Sequence, residues 1–295
     1  MMILKVERIN KTIKSKHILK NISFNINKGE CVALIGPNGA GKTTLFNILL
    51  GELTYDTGNI LIDNIKVPNS KVKNILAILN QSNNVPEKLK VKELIKFFQE
   101  IYDNPLDDKE VDNILNFSKE QKNQLVSKLS GGQKRFLTFV LTLIGRPKIL
   151  FLDEPTSAMD TSTRKTFWKI INSLKEQGVT VIYSSHYIEE VEHTADKILL
   201  LNNGELIRDT TPYSLKAEKI EKIFTLPSKY VDVVNNLDFI KDIAIKSDNV
   251  IFSTSEANRV WLYLVENGCS IEEVEITNRT LLDSLFNTTN NKGDN

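Results

Sequence analysis

The chain has 295 residues, with 38 Lys+Arg against 37 Asp+Glu and a formal net charge of +1. That length suffices for one large or two modest domains with a sizeable core. The balanced charge offers no broad cationic face for a nucleic-acid backbone or an anionic membrane, and two cysteines, Cys31 and Cys269, give neither a metal spacing nor a disulfide framework.

The longest apolar runs, such as 198–201, fall far short of the ~18 residues a bilayer-spanning helix needs. The opening MMILKVERINK carries charge where a signal peptide needs an unbroken apolar stretch. The composition therefore reads as a soluble, cytosolic protein.

In chain order, the alternating segments 3–9 and 18–26 predict antiparallel strands. An apolar strand over 31–35 follows, then a glycine-rich turn and a helix over 42–50. Residues 60–67 predict one further strand. Val91, Leu94, Ile95, Phe98 and Tyr102 recur at spacings of three and four, which predicts a helix over 91–102. Residues 107–117 read as helix too, so a mostly helical stretch spans about 85–145. Strand and helix then alternate: strand 149–152, helix 164–177 closed by Gly178, strand 179–183, helix 188–194, and a hairpin over 198–208.

The last part of the chain has another pattern. Strand 219–226, helix 228–237, strands 240–245 and 250–255, helix 257–266, strand 271–276 and a short helix 281–286 give the order βαββαβ plus one helix. That order predicts a small α+β domain of ferredoxin-like type. The predicted domains are 1–216 and 217–295.

Gly36, Pro37, Asn38, Gly39, Ala40, Gly41, Lys42 and Thr43 fit the phosphate-loop pattern between a strand and a helix, with Thr44 next in line. Glycines let backbone N–H groups converge on phosphates, and the helix N-terminus adds partial positive charge. Lys42 is placed to reach the β- and γ-phosphates, and the Thr43 hydroxyl to ligate Mg²⁺. The loop alone leaves kinases, GTPases and many ATPases open. Downstream, the apolar run 149–152 ends in Asp153 and Glu154. Asp153 is expected to hold Mg²⁺ through water, and Glu154 to polarise the attacking water as general base.

Leu129, Ser130, Gly131, Gly132 and Gln133 form the pentapeptide LSGGQ ahead of an apolar helical run. With it the chain resembles the ATP-binding subunits of ABC transporters over about residues 1–215. Gln81 stands where that family has its Q-loop, Pro155 to Asp160 follow the carboxylates like its D-loop, and Ser184-Ser185-His186 match its switch histidine. The resemblance implies an α/β fold: a P-loop ATPase core with an antiparallel β subdomain and a helical subdomain. It implies ATP and Mg²⁺ as ligands. It makes Glu154, His186 and Gln81 catalytic, and Thr43, Gln81 and Asp153 the metal-side residues. Ser130, Gly131, Gly132 and Gln133 would bind the nucleotide held by a second ATP-binding subunit, head to tail, with Asp160 crossing between the two.

One position departs from the family. Where an aromatic side chain usually stacks on adenine, this chain has Ile13. The expectation is a weaker grip on the base and looser discrimination between ATP and GTP. The segment 185–190 and the size of the C-terminal extension resemble stand-alone subunits of bacterial drug, antibiotic and lantibiotic exporters. The expected partners are integral-membrane transporter subunits and a second ATP-binding subunit, at the cytoplasmic face of the membrane, with no nucleic acid. An importer ATPase, or a soluble ATPase of the family acting on ribosomes or nucleic acid, stand as alternatives.

Overall fold

The computed structural model describes residues 1–82, 85–185, 188–217 and 221–278. The chain divides into two compact units, Met1–Pro212 and Tyr213–Asn295. Among the described residues, no helix is long and apolar enough to cross a membrane.

The first unit is built on two sheets. β1 (Met2–Ile13) and β2 (Lys16–Asn27) pair antiparallel around a tight turn at Lys14 and Ser15, both with positive φ. β3 (Cys31–Ile35) is wholly buried and leads into α1 (Lys42–Leu49). The stretch read as one strand over 60–67 is a hairpin instead. β4 (Thr57–Ile62) turns through Asp63 and Asn64, both at positive φ, into the two-residue β5 (Ile65–Lys66). Asx residues tolerate that conformation, so the polar pair inside the apolar run was the turn signal. After the single-turn α2 (Ser70–Lys73) comes β6 (Leu76–Leu79), which the sequence reading passed over.

A helical stretch follows: α3 (Val91–Ile101), α4 (Asp108–Leu115), α5 (Lys119–Asn123) and α6 (Gly131–Leu143). Asp107 with Glu110 and Ser118 with Gln121 form capping boxes at the starts of α4 and α5. Alternation then resumes with β7 (Ile149–Leu152), α7 (Thr161–Glu176), β8 (Thr180–Ser184), α8 (Ile188–Thr194), β9 (Lys197–Asn202) and β10 (Glu205–Thr210). One sheet runs β2-β1-β4-β5 and the other β10-β9-β3-β8-β7-β6. In the second, all neighbours are parallel except β10, which turns back antiparallel on β9. Phe46 of α1 meets Phe151 of β7 edge to face at 5.5 Å, inside a core that also takes in Ile9, Leu19, Ile60 and Ile182. Parallel strands covered on both faces read as continuous apolar runs, as β3, β7 and β8 do.

α9 (Pro212–Ala217) lies at the division between the units. The second unit then runs β11 (Lys222–Pro227), a 3₁₀ turn with α10 (Val231–Asn235), β12 (Lys241–Lys246), β13 (Asn249–Thr254), α11 (Ala257–Glu266), a 3₁₀ turn Ile271–Glu273 and β14 (Glu275–Asn278). The strand predicted over 271–276 thus starts later. Its sheet order is β12-β13-β11-β14, antiparallel throughout. Phe224 and Phe252 stack at 5.4 Å in its core beside Val260 and Leu264. The helix read over 281–286 lies outside the described residues.

Candidate functional site

A doubly wound parallel sheet carries its ligands beyond the carboxyl ends of the strands. β3, β6, β7 and β8 deliver the phosphate loop, Gln81, the Asp153–Glu154 pair and Ser184 to that edge. The order of the strands therefore gathers segments far apart in the chain.

The phosphate loop bends where only glycine fits. A Cβ on Gly36 would lie 2.0 Å from the carbonyl oxygen of Leu201, so the loop leaves β3 in direct contact with β9. Gly41, at φ +105°, is the N-cap of α1 and has no side chain to occupy the helix's first N–H groups. Those donors and the helix dipole point at the loop, which makes it an anion cradle. Lys42 Nζ donates to the carbonyls of Gly36 and Pro37 at 2.7 and 3.1 Å. Burial pushes its ammonium below the usual lysine range, while Glu154 and Asp153 pull it back up. Thr43 is exposed and Thr44 half-buried beside it.

The carboxylates are held from several sides. Ser184 Oγ donates to Asp153 Oδ1 at 2.5 Å and accepts the Glu154 backbone N–H at 2.9 Å. Gln81 Nε2 donates to Glu154 Oε2 at 3.1 Å. Glu154 itself sits at φ +46°, a conformation that costs a non-glycine residue free energy and is kept only where neighbours enforce it. Gln81, Glu154, Asp153 and Lys42 are thus brought together. Thr43, Gln81 and Asp153 all offer hard oxygen donors, the kind that suits Mg²⁺.

The remaining expected residues stand elsewhere. Ile13 is exposed at the end of β1. Ser130 is the N-cap of α6, and its hydroxyl accepts the Gln133 N–H at 3.2 Å while Gln133 Oε1 accepts the Ser130 N–H at 3.0 Å. That reciprocal box leaves Gly131 and Gly132 as the bare first residues of the helix. Asp160 caps α7, accepting N–H groups of Ser162 and Thr163 at 2.9 and 3.0 Å and the Thr163 hydroxyl at 2.7 Å. These bonds hold its carboxyl below the usual range. His186 lies outside the described residues.

The sequence reading missed Arg135. Its side chain is fully buried. Its guanidinium donates to the carbonyls of Asn80, Gln81, Asp153, Glu154 and Pro155, with Asp153 at 2.7 Å and Glu154 at 3.0 Å. One side chain of α6 therefore grips both the segment of Gln81 and the segment of the carboxylates. Burial lowers its pKa to about 10, so it stays charged at neutral pH. In the sequence it reads as one half of a Lys-Arg pair at a helix start, and only the register of α6 turns it inward.

A glycine loop at a buried strand's end, a lysine inside that loop and two carboxylates just after a strand two places away in the same sheet define a P-loop nucleoside triphosphatase. Comparison narrows the class. The family described as "ABC transporter" matches residues 19–157. The chain is 33% identical over 220 residues to the Nod factor export ATP-binding protein I of Rhizobium etli, covering 72% of this chain and 69% of that protein. It is 34% identical over 210 residues to the linearmycin resistance ATP-binding protein LnrL of Bacillus subtilis, covering 69% and 68%. Among solved structures, cbiO1 of Clostridium perfringens, part of the ABC transporter complex cbiONQ, is similar at a TM-score of 0.65 and 31% identity, over 74% of this chain and 92% of that one. The chain belongs to the ABC transporter family, as one of its ATP-binding ATPase subunits.

Proposed function

We propose that this subunit powers export through a separate integral-membrane partner, with two ATP-binding subunits closing head to tail on ATP at the cytoplasmic face of the membrane. The meeting of Gln81, Glu154, Asp153 and Lys42 at one sheet edge carries the hydrolytic part of this reading. The names of the export and resistance relatives favour the direction.

Each residue has a share in the work. Residues 36–44 cradle the phosphates, and Lys42 adds a fixed positive charge among them. Thr43, Asp153 and Gln81 would hold Mg²⁺, which supplies charge neutralisation at the phosphates when bound. Glu154 takes the proton of the attacking water, and His186 holds that water in line. Ser130, Gly131, Gly132 and Gln133 offer a helix N-terminus to the nucleotide of the other subunit. Asp160 touches that subunit as well. Residues 1–216 form the ATP-binding domain and 217–295 an accessory domain for dimer support or regulation.

The test is affinity purification of the full chain from membranes of its own host. An integral-membrane protein should come with it, and ATP turnover of the pair should disappear in Lys42→Ala, which should also lose binding of a fluorescent ATP analogue. Recovery with ribosomes in place of a membrane protein would overturn the reading. Ile13 offers a second measurement. Base–aromatic stacking contributes on the order of 1–3 kcal/mol, so Ile13→Tyr should tighten ATP binding at least about fivefold in a nucleotide titration and raise the preference over GTP. Equal affinity in parent and variant would remove Ile13 from the adenine site.

A further inference from the structure

Glu190 is a buried carboxylate that the hydrolytic scheme does not use. Its side chain is only 6% exposed. Three donors from three segments converge on it. Trp168 Nε1 of α7 donates to Oε1 at 2.6 Å, and the Thr156 hydroxyl donates to Oε2 at 3.0 Å. The Ser185 hydroxyl reaches Oε2 at 3.4 Å. Arg164 Nε stands 4.0 Å from Oε1.

The backbone of Glu190 is fixed too. The Thr194 hydroxyl donates to its carbonyl at 2.8 Å and pairs with the Tyr183 hydroxyl at 2.5 Å. Trp168 cannot swing away, because its ring packs edge-on against Phe167 at 5.1 Å and Tyr183 at 4.9 Å. A buried carboxyl group with this many oriented donors is a rigid anchor, and removing it takes the acceptor from Trp168 and Thr156 at once.

Its partners are adjacent to chemistry. Thr156 lies two residues beyond Glu154, and Ser185 directly follows Ser184. Ser184 is the residue that holds both Asp153 and the Glu154 backbone. The contacts therefore close a ring: Glu154 to Ser184, along the chain to Ser185, across to Glu190, back to Thr156 and along the chain to Glu154. The loop that the ring pins carries two non-glycine residues at positive φ, Glu154 inside the ring at +46° and Ala158 two residues beyond Thr156 at +64°. Such a conformation persists only when its surroundings over-determine it.

We propose that Glu190 is the positioning residue for Glu154: it pins the loop after β7 to the end of β8 and so holds the general base at its working angle. Glu190 acts on Glu154 indirectly. Its effect passes through Thr156 and Ser185, and it rests on the hydrolytic role proposed for Glu154. Misplacement of a catalytic group by about 1 Å costs on the order of a hundredfold in rate.

The experiment compares full-length parent, Glu190→Ala and Glu190→Gln. Steady-state ATPase rates, binding of a fluorescent ATP analogue and thermal melting are measured on each. Gln keeps an acceptor for Trp168, and its amide can donate to the hydroxyls of Thr156 and Ser185, which then accept. Glu190→Ala should therefore lose about tenfold to a hundredfold in kcat, with KM and analogue affinity within about twofold of the parent. Glu190→Gln should recover kcat to within about threefold. Thr156→Val should lose a similar factor, and Thr156→Val with Glu190→Ala should lose little more than either alone, since both cut the same link. A folded Glu190→Ala with parental kcat overturns the proposal. So do a Gln variant as slow as Ala and a double variant whose losses multiply. A parent that fails to bind ATP would instead overturn the functional reading itself, and this inference with it.

Discussion

Glu154→Gln is expected to bind ATP as the parent does and to hydrolyse it at least about a hundredfold more slowly. The replacement is close in shape, and the contacts around position 154 survive it. Its backbone N–H still donates to Ser184 Oγ, and its side-chain oxygen can still accept from Gln81 Nε2. Only the capacity to take a proton is lost. Because ATP joins the two subunits and hydrolysis releases them in the proposed cycle, the variant should accumulate as a dimer in ATP and return to monomer when ATP is removed. Phosphate release reads the loss of hydrolysis, and size-exclusion chromatography with light scattering reads the dimer. Hydrolysis at the parental rate, or a monomer in saturating ATP, would remove Glu154 from the role of general base.

Arg135→Leu is the second large effect, and it should fall on stability as well as activity. Leucine fills part of the space but removes the guanidinium donors from five backbone carbonyls, of which that of Glu154 keeps the Ser157 N–H and hydroxyl. Losing a buried partner costs ~1–3 kcal/mol per stranded group, with incomplete additivity. A total of about 3–5 kcal/mol is therefore expected. For a unit of this size that is a fall of roughly 10 °C in Tm, read by calorimetry or circular dichroism. Arg135→Lys should be intermediate: it keeps the charge, but a point-like ammonium cannot span five acceptors spread over two segments. A Leu variant that melts with the parent would show that these bonds hold nothing in place.

The contrast between these two residues shows what the sequence discloses. Glu154 was legible because its neighbours in the chain are its context: an apolar strand, then paired carboxylates. The same holds for residues 36–43 and for Ser130 to Gln133, where backbone geometry and helix start are written into consecutive letters. Arg135, Ser184 and Glu190 were not legible as site residues. Their roles depend on which side chains face inward after the helices and strands have packed, and a charged residue near a helix start reads as solvated until then. β6 escaped for a related reason. Four apolar residues between polar turns fit a buried strand or a helix turn equally well, and pairing with β7 decides the matter. In 60–67 the polar Asp63 and Asn64 did carry the turn, but the apolar residues on both sides hid it. In the second unit, the strand and helix order followed from apolar runs separated by polar turns such as 246–249 and 267–268, although the 3₁₀ turn at Ile271–Glu273 displaced the start of β14.

The cap on α6 has a kinetic meaning. Ser130 and Gln133 satisfy each other within a single chain. In the proposed dimer, the turn that would receive the second subunit's nucleotide therefore needs no folding on encounter, and little conformational entropy remains to be lost there. Association can then be governed by collision and orientation, and the lifetime of the pair by the phosphate between the two chains. In the proposed cycle, a receptor surface shaped in advance in this way would make the nucleotide, rather than the protein, the timer.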